Sequence, residues 1–331
     1  MQKKGMPNTI KRINETLIRD KFMERKPLTC ASISMETGIS ITTVRAIMNE
    51  MLDRKELISL GLGESSGGRR SEQFIINDNC YQGLSICFTD DCFYVSRTNI
   101  HATIMETVEY SHNSLDNIEE ILISHIDKHL ETTTRAIGIG VPGVVTKSGY
   151  ILDLRAKKER KIDFVATLTE RYSLPIILEN DLNASALGYA KIAKTNSTLA
   201  FIYLISSCNY IAAGFTEGNK IIRGLGNYAG ELGLMPYDNL KDFSEVLYSA
   251  DEVRKSEILA RLVSWVCCTV NPKQVVLCCP DDFKINTRKI NKLLEYLLPE
   301  KMIPKLVINT EYNRYYLEGM ALITSNSIFT N

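Results

Sequence analysis

The chain has 331 residues, 44% hydrophobic and 24% charged, enough for roughly two globular domains and too apolar for a disordered chain. Its apolar runs, such as residues 262–270, are too short to span a bilayer, and residues 1–10 lack the apolar core of a leader, so a cytoplasmic location is expected. Lys and Arg number 39, as do Asp and Glu, and the zero net charge argues against a nucleic-acid partner only if it holds region by region.

It does not hold. Residues 1–77 carry 13 Lys/Arg against 9 Asp/Glu, a net of +4, while the remaining 254 carry 26 against 30, a net of −4. A small basic module joined to a larger acidic body fits a nucleic-acid reader with a regulatory domain.

In chain order, Ile10, Ile13, Leu17, Ile18 and Phe22 recur at helical spacing and predict an amphipathic helix of roughly four turns. Thr29 is a candidate N-cap for a short helix over residues 30–36, Thr37-Gly38 supplies a turn, and Ser40 caps a third helix carrying Val44, Ile47, Met48, Met51 and Leu52. Residues 57–60 and 71–76 read as strands flanking a Gly/Ser-rich segment that ends in Gly67-Gly68-Arg69-Arg70. Three helices followed by a hairpin predict a winged helix-turn-helix over residues 1–78. The start of the third helix offers Ser40, Thr42, Thr43, Arg45 and Asn49, short polar or forked groups suited to base edges and phosphates in a major groove. Arg69 and Arg70 at the wing tip suit a minor groove or a phosphate, so the expected partner is double-stranded operator DNA. The competing reading is a three-helix protein-interaction module with a basic loop.

From Tyr81 onward strands and helices alternate. Strands are predicted at residues 83–88, 92–97, 103–110, 136–141, 175–178, 199–205, 210–216, 275–279 and 306–308. Helices are predicted at 118–130, 162–172, 183–193, 259–269 (with Trp265 in the core) and 314–325. This pattern predicts an α/β body of mixed sheets over residues 79–331, with lobes near 79–197 and 198–331. The nine cysteines show no CxxC and no framework spacing, and read as buried, reduced thiols.

Several ordered motifs in this body resemble those of the ROK family, which contains sugar kinases and winged-helix repressors. Gly67-Gly68-Arg69-Arg70 resembles the family's wing, and Ile139-Gly140-Val141-Pro142-Gly143 its GxPG turn. The run from Glu179-Asn180-Asp181 to Gly188 resembles its END-x-N-AA-ALG segment, Arg223-Gly224 with Asn227 to Gly233 its RG…AGE-x-G segment, and Asn271-Pro272 its "DP" strand entry. The resemblance runs over nearly the whole chain and implies the two-lobed, actin-like (ribonuclease H-like) sugar-kinase fold. It also implies that Gly143, Asn180, Asp181 and Glu231 line a sugar pocket, with Asp181 at the position of the kinase's general base.

The chain departs from the kinase pattern at its phosphate turns. Where the family has DxGGT, this sequence has Ser85-Ile86-Cys87-Phe88-Thr89; where it has GTGIGAG, residues 206–214 keep one glycine; and Cys278-Cys279-Pro280 replaces the third glycine pair. Bulky side chains there keep the backbone from cradling a phosphate. Leu234 stands in place of the family's zinc-binding His, and residues 235–253 contain no Cys or His, so no structural zinc is expected. The reading is a degenerate kinase with no cofactor and no metal, acting as a transcriptional repressor, a homodimer or higher homo-oligomer with a sugar or sugar-derivative effector. Helix 314–325 and the apolar face at 262–270 are the candidate interface segments, and the sequence does not decide between them. Two uses of Asn180 and Asp181 stay open, effector ligands or a helix cap. The alternative function is an ATP-dependent sugar kinase with an appended DNA-binding domain, and a third is a protein-interaction scaffold.

Overall fold

The computed structural model describes residues 6–63, 70–89, 92–111, 117–152, 160–238, 241–280 and 283–330, the side chains of 6–8 excepted. Arg69 and the two wing-tip glycines lie outside them. The chain divides into two compact units, Met1–Tyr81 with Asn99–His101, and Gln82–Thr98 with Ala102–Asn331.

The first unit contains α1 (Met6–Phe22), α2 (Cys30–Thr37), α3 (Ile41–Asp53), and the antiparallel pair β1 (Leu57–Leu62) and β2 (Glu72–Ile76). Thr29 and Ser32 form a capping box on α2, and Gly38 ends that helix at φ +71°, with its N–H bonded to Ser34 O. Val44, Ile47, Met48 and Met51 of α3 are buried, each contributing about 1.5–3 kcal/mol. The apolar stripe of α1 is only partly used: Ile18 and Phe22 are buried, while Ile10, Ile13 and Leu17 are exposed. Glu56 is buried and held by Arg54 Nε at 2.6 Å and Arg19 Nη2 at 2.9 Å, tying α1 to the start of the hairpin.

The second unit has two lobes of like topology. The first opens with an antiparallel meander, β3 (Gln82–Phe88), β4 (Cys92–Asn99) and β5 (Ile104–Ser111). After α4 (Ile118–His129), β6 (Thr134–Val141) and β10 (Ile176–Asn180) join in parallel, giving the order β10-β6-β3-β4-β5. A small sheet lies between β6 and β10 in sequence: β7 (Val144–Val145), β8 (Gly149–Leu152) and β9 (Arg160–Asp163), followed by α5 (Val165–Tyr172). The helix expected over 162–172 therefore starts later. Ile162 of β9 pairs with Tyr150 of β8, and Phe164 is buried in the core before the helix begins.

The second lobe follows α6 (Asp181–Ile192). Its sheet order is β13-β12-β11-β16-β17, built from β11 (Leu199–Ile205), β12 (Tyr210–Glu217), β13 (Lys220–Ile221), β16 (Gln274–Cys278) and β17 (Lys305–Asn309). A hairpin, β14 (Pro236–Asp238) with β15 (Lys241–Asp242), and helices α7 (Phe243–Tyr248), α8 (Glu252–Thr269) and α9 (Thr287–Leu297) complete it. The last helix, α10 (Tyr312–Ser325), packs against α6 and reaches β3 and β6, so the chain ends on the first lobe.

Three expectations change here. The apolar face at 262–270 is spent inside the second lobe, where Leu262, Val263, Val266 and Cys267 are buried, and α10 buries Tyr315, Tyr316, Met320 and Ala321. Cys268, Thr269 and Arg314 stay exposed on these segments. Trp265 is half-buried, edge-on to Phe243 at 5.0 Å. The cysteines are all free, but Cys208 and Cys268 are exposed rather than buried.

Candidate functional site

On α3, Ser40 Oγ accepts from Thr43 N at 3.2 Å and lies 2.8 Å from Thr43 Oγ1, so both residues serve the helix cap. Thr42, Arg45 and Asn49 are exposed and spaced i, i+3, i+7, which puts them on one face, opposite the buried stripe. Arg45 also stands beside Cys30; burial pushes that thiol up, and the guanidinium only partly offsets it. Arg70 is exposed at the base of the wing.

In the second unit a cavity of about 840 Å³ opens between the lobes, and Gly143, Asn180, Asp181 and Glu231 all line it. Asn180 ends β10 and caps α6: its Oδ1 accepts from Leu182 N and Asn183 N, both at 3.0 Å. Its amide donates to Gly143 O at 3.0 Å and Asp181 Oδ1 at 2.8 Å. Of the two open uses of Asn180, capping is thus realised by the fold, and the same side chain orients Asp181. Asp181 is buried, and its Oδ2 accepts from the Tyr312 hydroxyl at 2.6 Å. Tyr312 is driven well above the ordinary phenol range by burial and by the Asp181 charge, so it stays protonated and can only donate to the carboxylate.

Glu231 reaches the cavity from a loop pinned at three points. Arg223 pairs with buried Glu179 at the end of β10, Asn227 Nδ2 donates to Val145 O at 2.8 Å, and Gly230 O accepts from Ala213 N at 2.8 Å. Gly230 sits at φ +105°, and a Cβ there would collide with the Ala213 carbonyl, so only glycine lets the chain turn Glu231 inward. Burial raises the Glu231 carboxyl above its usual range, partly offset by the Tyr210 hydroxyl donating to Oε2 at 2.7 Å.

Bulky side chains stand at the end of β3 and over β6. Phe88 closes the end of β3, and Cys87 beside it is fully buried. A Cβ at Gly140 would collide with the Tyr316 ring, so that ring occupies the floor between β3 and β6. Tyr203 stacks on Tyr312 with centroids 4.2 Å apart and planes 3° from parallel. Among the described residues no cluster of three or more His, Cys, Asp or Glu could hold a metal, and no helix is long and apolar enough to cross a membrane.

Sequence reasoning missed Tyr203, Tyr210 and Tyr312. Tyr312 meets Asp181 across 131 positions, with no local signal to announce the pairing. The Glu179–Arg223 pair was more accessible, since both residues lie in motifs at the two sides of the cavity.

Residues 93–278, more than half of the chain, match the pattern of the ROK family. The xylose repressor of Bacillus subtilis (strain 168) is 28% identical over 238 residues, 69% of this chain and 62% of that protein. The xylose repressor of Staphylococcus xylosus is 25% identical over 266 residues, 78% of this chain and 69% of that protein. The chain thus spans 62% of the length of the first of these relatives. A crystal structure of a ROK family transcriptional regulator, homolog of the E. coli MLC protein, superposes with a TM-score of 0.72 at 17% identity over 97% of each chain. A ROK family glucokinase from Streptomyces griseus, in complex with glucose and AMPPNP, gives 0.52 at 14% identity over 74% of this chain and 99% of its own. The fold is common to these structures, and the sequence match places this chain in the ROK family.

Proposed function

We propose that the chain is a cytoplasmic transcriptional repressor that binds operator DNA through α3 and the wing, answers to a neutral sugar in the cavity, and has no kinase activity. The observation that carries this is the pairing, in one chain, of an exposed Thr42–Arg45–Asn49 face with a cavity lined by Asp181 and Glu231. Two carboxylates and an amide suit the hydroxyls of a sugar, and tyrosines beside them suit its apolar faces. Kinase chemistry needs a free base and a phosphate cradle. Here Asp181 Oδ2 accepts from Tyr312, and Cys87 and Phe88 end β3 where the family resemblance calls for glycines. A homodimer would read two half-sites about 34 Å apart, or a multiple of that.

The test is binding to the DNA upstream of the gene for this chain. The wild-type protein should bind with an affinity that falls with salt. Arg45→Ala should weaken specific binding by about tenfold, and Arg69→Ala/Arg70→Ala should weaken it further and lower the salt slope. Equal, weak binding by all three proteins would overturn the DNA-reading role.

A further inference from the structure

We propose that α10 is the element that links occupancy of the cavity to the N-terminal unit, with Tyr312 as its sensing residue; this rests on reading the cavity as an effector site. At the start of α10, Tyr312 donates to Asp181, and Asn313 Nδ2 donates to Tyr94 OH at 3.1 Å. A ligand hydroxyl that binds Asp181 therefore competes with the Tyr312 hydroxyl, which gives the ligand different interactions with two positions of one helix. That difference is what a shift between states requires.

The middle of α10 transmits rather than absorbs. A Cβ at Gly188 would collide with the Tyr315 carbonyl, and one at Gly319 with the Ala184 carbonyl, so the backbones of α6 and α10 are in direct contact. With no flexible side chains between them, a displacement at Tyr312 has little slack to disappear into.

The chain passes between the two units at 81/82, 98/99 and 101/102, and α10 meets the first of these at Gly83 and the last through Lys191 of α6. A Cβ at Gly83 would stand 2.7 Å from Thr324 Cγ2 and 3.1 Å from Thr98 Oγ1. Glu318 Oε2 accepts from Lys191 Nζ at 2.6 Å, and the same ammonium donates to Ala102 O at 2.6 Å. Ala102 holds a left-handed φ of +59°, a conformation that its surroundings must impose on a non-glycine residue. On the N-terminal side these crossings are fixed as well. The Tyr81 hydroxyl donates to Glu56 at 3.1 Å, and His101 Nε2 lies 3.0 Å from Asp78. One helix thus touches the candidate effector carboxylate at one end, and at the other meets Gly83 beside the first crossing and, through Lys191, Ala102 beside the last.

Hydrogen exchange on the full chain tests this without knowledge of ligand or operator. Tyr312→Phe, which removes only the hydroxyl, should speed exchange about threefold or more in peptides covering residues 82–86 and 98–104, with α9 unchanged. Lys191→Met, remote from the cavity, should do the same for 98–104 and keeps the test open if Tyr312→Phe folds poorly. Exchange in both crossing peptides within about 1.5-fold of wild type, with change confined to the cavity walls, would overturn the proposal. The second arm measures affinity for the upstream DNA. Tyr312→Phe should alter it by about fivefold or more relative to the exposed Tyr296→Phe. Unchanged affinity in a protein that binds DNA would also overturn the coupling, whereas wild type that fails to bind refutes the regulator reading alone and leaves exchange to decide.

Discussion

Glu56 is 2% exposed and accepts from Arg54, Arg19 and the Tyr81 hydroxyl. Burial alone would raise its carboxyl, but the hydrogen bond from Arg54 and the charge of Arg19 outweigh it, and it is held below the usual carboxylate range. A lowered folded-state value means that the stabilisation is present above the unfolded value, about 4.3, and is lost as pH falls through the folded one. Glu56→Gln should destabilise the N-terminal unit by about 3 kcal/mol, the low end for a buried pair because Arg54 is partly exposed; urea unfolding at pH 7 checks this. Glu231 has the opposite sign. Its carboxyl is raised by burial, so its contribution is present below the unfolded value and lost as pH rises through the folded one. Tyr210→Phe removes the donor that holds it down, and carboxyl ¹³C titration should show the Glu231 midpoint move higher still; an unmoved or lower midpoint would refute the assignment. Gly143, Asn180, Asp181 and Glu231 could be singled out from the sequence because they sit in contiguous motifs. Their tyrosine partners could not, because phenols from β12 and α10 meet the carboxylates only after the lobes close around the cavity.

Helices and strands with strong periodicity were legible as elements, including α3, β6 and α6. The sheet formed by β7, β8 and β9 was not, since its strands have two to four residues and too few alternations to register. The helices α7 and α9 were also missed, although α9 alternates cleanly around Ile290 and Leu294. The packing of α10 onto α6 had a weak signature in Gly188 and Gly319, glycines inside helical segments that mark a close approach. That contact separates two kinds of glycine. Gly188→Ala places a Cβ against backbone and should cost about 3 kcal/mol through overpacking. Gly38→Ala has open space and only its left-handed φ to overcome, and should cost about 1 kcal/mol. Equal midpoint shifts in urea would contradict the close-approach account.

Across the whole molecule, the zero net charge divides into +4 on residues 1–77 and −4 on the rest. Four charges are few for a DNA-binding surface, so the proposed DNA reading requires well-placed cations such as Arg45 and Arg70, and the proposed pairing of two copies at an operator. The fold class followed from motif order, since the wing, the GxPG turn and the paired acidic motifs stand in sequence at fold-compatible distances. The lining of the cleft did not, because Tyr203, Tyr312 and Tyr316 reach it or its walls from separate elements with no local signal. The proposed regulator requires that occupancy of this cavity change DNA binding. It is tested most directly by the equilibrium affinity for the upstream DNA, measured by fluorescence anisotropy across a panel of neutral pentoses and hexoses that includes D-xylose. At least one sugar should shift the affinity about fivefold or more, and Asp181→Asn should remove the shift while DNA binding persists. Tight, salt-dependent binding that no sugar alters, in wild type and variant alike, would contradict it.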